Sequence, residues 1–489
     1  MILLSQAALG DLPVSVRCPH YSRTALRPGI VHIGLGNFQR AHQAWYLQQL
    51  LNMGLNHDWA IVGAGVRPYD AEQREKFLKQ DFLSTLIELS PNGKKAEVIG
   101  SMIDYIPVED GHSALIRGMA TESTRIVTLT VTEGGYYVDP STGDFDLSHP
   151  DIQHDIVNAN HPTTAFGAIV AALKRRRDRG FGPFTCQSCD NLQGNGKILR
   201  RNVVTLARET DLELADWIEI NCTFPCSMVD CIVPATGPAE LALSQKFGIC
   251  DLVPVTHENF RQWVVEDEFC AGRPDWNEVG VTFTDSVQDY EAMKIRMLNA
   301  GHQIVANPGE LLSIDTIAEC MTHPLIFAMF QKVQREEVIP HVKPVPDVTP
   351  EQYLQLIVQR LSNSALGDTT RRVCFNGSSL HAGFILPTVR KGLYSGTPTN
   401  GLALVEAMWA RMCEGTREDG STIEPNDPLS SELQGVAQMA REHPKAWLEQ
   451  RGIYGDIADA TEFVKNFETW LDRIWAVGCE SVLKEYTAT

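Results

Sequence analysis

The sequence predicts an α/β N-terminal domain followed by a mostly α-helical C-terminal domain. Short apolar runs alternate with helical stretches through the first half, and a glycine turn follows the first of these runs. From about residue 286 helix signals dominate. A chain of 489 residues also exceeds the usual size of one hydrophobic core, so two domains are expected, at 1–285 and 286–489.

Strands are expected at about 30–34 (IVHIG), 59–63 (WAIVG), 125–131 (RIVTLTV) and 183–190 (PFTCQSCD). Between the first two, RAHQAWYLQQLLNMG predicts a helix from Arg40, stopped at Gly54. Residues 163–180 form another, ending in RRRDRG, where basic residues suit the helix dipole. In the second half, Thr349-Pro350-Glu351 reads as an N-cap and first turn for EQYLQLIVQRL, after the Pro-rich connector IPHVKPVPDVTP. Thr461 and Glu462 open a further helix, and no internal repeat is visible.

Composition excludes several function classes. Hydrophobic residues at 43% and charged residues at 21% place the chain among soluble globular proteins rather than disordered ones. A formal charge of -19, without a Lys/Arg run, argues against nucleic acid or an anionic membrane as partner. The N-terminus lacks a basic n-region and its apolar stretch is broken by Ser5, Gln6 and Gly10, so no secretory signal is expected. No run long enough to span a membrane occurs, and the twelve cysteines are scattered, which suits reduced thiols in the cytoplasm. Cys186 and Cys189 form a C-x2-C, but their spacing on a strand puts the thiols on opposite faces, so no metal site is expected. No obligate protein partner is evident.

The first strand runs into GLGNFQRAH. This puts Gly34 and Gly36 in the strand-to-helix turn where a Rossmann-type domain holds a pyrophosphate, with Phe38 and Arg40 beside it. Gln39 stands where the third glycine of G-x-G-x-x-G would fall. Past the second strand, VGAGVRPYD places Asp70 where an acid bonds the ribose hydroxyls of NAD. Arg67 could instead meet the 2′-phosphate of NADP, so the residues alone leave both cofactors open; an ordinary solvated loop is the plain alternative.

The segment DYEAMKIRMLNAGHQ groups polar side chains on one side of a helix. At 100° per residue, Lys294, Leu298, Glu291, His302 and Asn299 fall at about 0°, 40°, 60°, 80° and 140°. Leu298 and Ile295 share that arc, which suits burial better than an exposed polar face. Oxidising a secondary alcohol without a metal needs a base for the hydroxyl proton and neutral donors for the developing alkoxide. A lysine serves when burial disfavours its ammonium form, so Lys294 is the candidate base. Asn299 and Asn191, at the end of the strand SCDN, are candidate amide donors, and His302 can bond a neighbouring oxygen.

Taken together, GLGNFQRAH, TVTEGGYY, SCDNLQGNG, TFPCSMVD, ENFRQWVVEDEFCAGRPDW and the K-x4-N-x2-H of KIRMLNAGH resemble the polyol-specific long-chain dehydrogenase family, in family order from about residue 30 to 380. The resemblance implies a Rossmann-type domain, a helical C-terminal domain, NAD or NADP as cofactor, no metal, and a linear polyol/ketose substrate pair, mannitol to fructose being the first guess. It implies Lys294 as base, Asn191 and Asn299 as donors, and His302 as a substrate-positioning residue. Asp230 and Arg372 match substrate-pocket positions, Glu291 a proton-exit position, and Asp70 the ribose-binding acid, which favours NAD. The chain departs from the mannitol-oxidising pattern at Cys231, in place of a basic residue, and at Leu380 and His381, where a lysine often follows Gly-Ser-Ser. Tyr69 replaces the acid that accompanies the ribose acid.

Two other readings are compatible with parts of this pattern. A hexuronate (fructuronate or tagaturonate) reductase would use Arg372 for the substrate carboxylate, and fructose against fructuronate would separate it. A non-catalytic dinucleotide sensor would need only the glycine turn and Asp70, so the retained Lys294, Asn191, Asn299 and His302 speak against it.

Overall fold

Five parallel strands carry the first half of the chain. In the computed structural model, which describes residues 1–139 and 142–488, these are β1 (Pro28–Ile33), β2 (Ala60–Ala64), β3 (Met102–Ile106), β4 (Ile126–Leu129) and β5 (Thr185–Ser188). Their order is β3-β2-β1-β4-β5, every pairing parallel. The chain steps outward from β1 to β3 and then crosses back to β4, which is the winding of a Rossmann sheet with its switch point beside β1. Both faces are covered, so the strands are buried almost throughout, polar residues such as His32, Thr128 and Gln187 included. Val31, Ile33, Val127, Leu129 and Cys186 pack in one core cluster, and Ile30, Ile61, Ile126 and Cys189 in the other.

This is the predicted fold class, with informative differences in detail. β4 and β5 are shorter than the apolar runs that announce them. The carboxylate of Asp190 accepts from the Val131 and Thr132 amides at 3.1 and 2.9 Å, so a side chain takes over where the strand ladder would have continued. The expected helix from Arg40 to Gly54 starts earlier and is broken, into α1 (Asn37–Ala41) and α2 (Gln43–Asn52). At the break His42 has φ -120° and ψ -92°; its Nε2 lies 2.9 Å from the Gln262 carbonyl and its ring stacks on Phe38. Gly54 does end α2, at φ 79°. Downstream come α3 (Asp70–Leu78) and α4 (Ala165–Asp178), the latter capped by Thr164 and finished by Arg175, Arg176 and Arg177. β6 (Ser227–Asp230) pairs antiparallel with β7 (Gln262–Val265).

The chain divides into two units, Met1–Gln288 and Asp289–Thr489. The second is helical. α5 (Val287–Met293) runs through a wide turn at Lys294–Asn299 into α6 (Ala300–Leu311). α7 (Pro350–Leu361) opens with a capping box in which Thr349 Oγ1 accepts from the Gln352 amide and Gln352 Oε1 accepts from the Thr349 amide, as Thr349-Pro350-Glu351 predicted in outline. α8 (Asn400–Cys413) is buried along most of its length and packs against α9 (Thr461–Val477), whose buried stripe is Phe463, Val464, Phe467, Leu471 and Ile474. Among the described residues no helix is long and apolar enough to cross a membrane.

Among the described residues of this unit three turns are π-helical: Lys294–Asn299, Gln334–Val338 and His381–Ile385. The last two run into Ile339-Pro340 and Leu386-Pro387. A proline there has no N–H for the carbonyl four residues back and its ring crowds it, so the widened turn follows from sequence. Lys294–Asn299 has no such proline.

Candidate active site

In the first unit the glycine turn leaves the end of β1 with backbone exposed where a ligand would approach. Gly34 has φ 88°, and a Cβ there would lie 2.1 Å from the Thr130 carbonyl oxygen, so only glycine fits. Gly36 differs: the space its Cβ would occupy is open, the nearest atom being the Gly34 oxygen at 3.8 Å. Phe38 lies on the flank of the turn, stacked on His42 at 4.8 Å between ring centroids.

Arg40 faces inward rather than outward. Its guanidinium donates to the Gly36 and Val253 carbonyls and to Asn37 Oδ1, and burial pulls its pKa down to about 10. It braces the turn. Asp70 begins α3, and its Oδ2 accepts from the Val66 and Arg67 amides at 3.0 and 2.9 Å, which fixes the carboxylate just past β2. Gly65 makes room for it, since a Cβ there would fall 2.2 Å from Asp70 Cβ. The Arg67 side chain turns to the Tyr69 hydroxyl at 3.1 Å. A bare turn, an inward brace and an anchored acid at the tips of adjacent strands fit a dinucleotide.

Asn191 is not on the strand. β5 ends at Ser188, and Asn191 sits exposed in the bend beyond it. Its neighbour Asp190 holds that bend: besides the two amides it accepts from the Tyr136 hydroxyl at 2.8 Å, and Asn195 Nδ2 donates to the Asp190 carbonyl at 3.0 Å. Burial raises the Asp190 pKa to about 6, against the donors that lower it. Nothing in the sequence spacing of Asp190 shows that it joins the end of β5 to the TVTEGG loop. Asp230 closes β6 and is buried, opposite Gln262 on β7.

In the second unit Glu291, Lys294, Asn299 and His302 lie on one helical run, with Glu291 4% and Lys294 8% exposed. Leu298 is buried with Glu291 and Lys294, whereas Ile295, Asn299 and His302 are half-buried, so the expected burial holds for part of that side. The wheel at 100° per residue does not hold. The Ala300 amide donates to the Ile295 carbonyl, five residues back, so the backbone repeats at i+5 through this stretch. Lys294 and Asn299 are themselves five apart, and the wide turn brings them nearer to one line than the 140° of an α-helix. Arg372, on the short helix Thr370–Val373, donates through Nε and Nη2 to the two carboxylate oxygens of Asp368, which raises its pKa. Gln303 Nε2 donates to the Val373 carbonyl at 3.0 Å, linking the residues after His302 and after Arg372.

The Leu380-His381 departure resolves into two roles. Leu380 is half-buried, whereas His381 is a core residue, 2.7 Å from Glu406 Oε1, 3.0 Å from Asn307 Nδ2 and stacked on Trp409. Cys186 and Cys189 lie in opposite core clusters, as the strand spacing requires.

Fold and site together define a two-domain dehydrogenase: a dinucleotide sheet followed by a helical domain bearing a buried lysine. The chain belongs to the mannitol dehydrogenase family. The family model described as "Mannitol dehydrogenase Rossmann domain" matches residues 28–278, and that described as "Mannitol dehydrogenase C-terminal domain" matches 286–475. Mannitol 2-dehydrogenase of Cereibacter sphaeroides is 52% identical over 474 residues, covering 97% of this chain and 99% of the relative. The Pseudomonas fluorescens mannitol 2-dehydrogenase, solved as a ternary complex with NAD and D-mannitol, shares 39% identity at a TM-score of 0.90, with both chains fully covered. A D-sorbitol dehydrogenase solved in substrate-free form shares 33% identity at a TM-score of 0.91, covering 99% of this chain and 100% of the other.

Proposed function

We propose that this protein is an NAD-dependent polyol dehydrogenase that reversibly oxidises the C2 hydroxyl of a linear five- or six-carbon polyol, mannitol to fructose in the first instance. The observation that carries the reading is Lys294, buried at the head of a π-turn that ends on Asn299. Full-length similarity to an enzyme solved with NAD and D-mannitol supports the cofactor and the substrate class.

Each residue has a part in this reading. Gly34 and Gly36 bare the backbone for the pyrophosphate and Phe38 flanks it, while Arg40 holds the turn in shape. Asp70 spends Oδ2 on two amides, leaving Oδ1 to accept from the ribose hydroxyls and to repel a 2′-phosphate. NAD, when bound, supplies the hydride acceptor. Lys294 Nζ, neutral in the productive complex, accepts the hydroxyl proton, because burial disfavours an ammonium. Asn191 and Asn299 donate to the same oxygen as charge develops on it. His302, Asp230 and Arg372 bind other hydroxyls, and Glu291 passes the proton on. With Lys294 as base no Lewis acid is required. Twelve free thiols suit a reducing compartment, and we assign the enzyme to the cytoplasm.

A panel of mannitol, sorbitol, arabinitol, their ketoses and fructuronate, run with NAD(H) and NADP(H) and with and without a chelator, tests the reading. Turnover of polyols with NAD, unchanged by chelator, is expected. Turnover confined to short monoalcohols, 2-hydroxy acids or hexuronates would reject it.

A further inference from the structure

A second binding site emerges on the helical unit. A groove of about 820 Å³ is lined by His341, Arg390, Lys391, Leu393, Tyr394, Ser395, Asp456, Ile457 and Asp459. Its two carboxylates are already matched: Arg390 pairs with Asp456 at 3.1 Å and Arg451 with Asp459 at 2.6 Å. Its remaining cations are not. Lys391 has no ion-pair partner among the described residues, and His341 Nε2 is buried without a hydrogen-bond partner among them. Arg296 is anchored alongside, donating to the His341 carbonyl at 2.7 Å. Burial lowers the pKa of both Lys391 and His341, and repulsion adds to it, from Arg296 and Lys343 on Lys391 and from Lys391 and Arg296 on His341. In a chain of formal charge -19 such crowding of positive groups is relieved by a bound anion.

We propose that this groove binds a small organic phosphate, with Lys391 and Arg296 flanking the dianion and His341 Nε2 bonding one of its oxygens. A lysine and an arginine side by side match a dianion better than a carboxylate. The groove far exceeds inorganic phosphate in volume, and Leu393, Tyr394 and Ile457 offer walls for an organic body. Arg296 belongs to the Lys294–Asn299 turn, so occupancy would bear on the segment that carries Lys294.

The test is calorimetric titration of the NADH-saturated protein, which closes the dinucleotide site to phosphate, with inorganic phosphate and a hexose phosphate as probes. One saturable site is expected. Its affinity should be at least tenfold weaker in Lys391→Gln and in His341→Phe, several-fold higher for the hexose phosphate than for phosphate, and retained within a few-fold in saturating mannitol. Absence of binding, equal affinity in Lys391→Gln, or displacement by mannitol would overturn the site. Equal affinity for the two probes would overturn the organic body. Neither result depends on whether the polyol panel succeeds.

Discussion

The roles proposed for Lys294, as base, and for Asp70, as ribose-binding acid, are distinct, so single substitutions separate chemistry from cofactor choice. Replacing Lys294 by Ala removes the proposed proton acceptor and leaves the glycine turn and Asp70 untouched. Polyol oxidation should fall by roughly three orders of magnitude or more, the range expected when a base that also orients substrate is lost, while the NADH dissociation constant stays within about twofold. Added primary amine should restore part of the rate. A variant with near wild-type kcat would remove Lys294 from the mechanism. Asp70→Ala should instead shift the NAD-to-NADP ratio of kcat/KM towards NADP by about tenfold or more, since one lost repulsion of a 2′-phosphate is of that order. Arg67 then becomes the cation nearest in sequence to the vacated position, though it now leans on Tyr69. An unchanged ratio would assign cofactor choice elsewhere.

At the level of elements, the π-turn carries the most specific expectation. A π-turn is an α-helix with one residue too many, and the two proline-linked examples show what sequence does when it needs one. Deleting Ala292, in the α-helical turn just before it, should let the helix close regularly while Lys294 and Asn299 stay five residues apart, which rotates Lys294 back to about 140° from Asn299. Circular dichroism and melting temperature should change little, whereas kcat should drop by about a hundredfold or more, as for loss of an oriented donor. Retained activity would show that the i+5 spacing is incidental. This turn also marks how far sequence could be read. The first strand, the glycine turn, Gly54 and the Thr349 cap were legible because each is set by a local rule of sterics or hydrogen bonding. Lys294 and Asn299 were legible as polar residues on one helical side, buried at Lys294 and half-buried at Asn299, but periodicity assumes an α-helix at 100° per residue. The shortened β4 and β5, the break at His42 and the clamp by Asp190 depend on partners 58 to 220 residues away, such as Val131, Thr132 and Gln262. No window of sequence contains them.

For the molecule as a whole, stability should depend on pH through carboxyls buried away from any cation. Glu337 is the clearest. It is buried, accepts from the Gly401 and Leu402 amides at 2.6 and 2.8 Å at the start of α8, and reaches the Tyr486 hydroxyl at 3.5 Å. Gly401 permits this approach, because a Cβ there would meet Tyr486 Oη at 2.2 Å. Burial raises the Glu337 pKa from 4.5 to about 7, outweighing the two amide donors that lower it. A raised folded-state pKa means that the native protein holds the proton more tightly than the unfolded chain. The contribution is therefore complete below about pH 4.5 and is lost as pH rises through about 7. Glu337→Gln cannot titrate there. The melting temperature of the wild type should accordingly fall relative to that of Glu337→Gln between pH 5 and pH 8, by roughly 5 °C given about 2–4 °C per kcal/mol for a unit of this size. Asp190, raised to about 6, titrates in both proteins and cancels from the difference. A difference in melting temperature that stays constant across this range would show that Glu337 is ionised throughout, held by the two amides of α8 in spite of its burial.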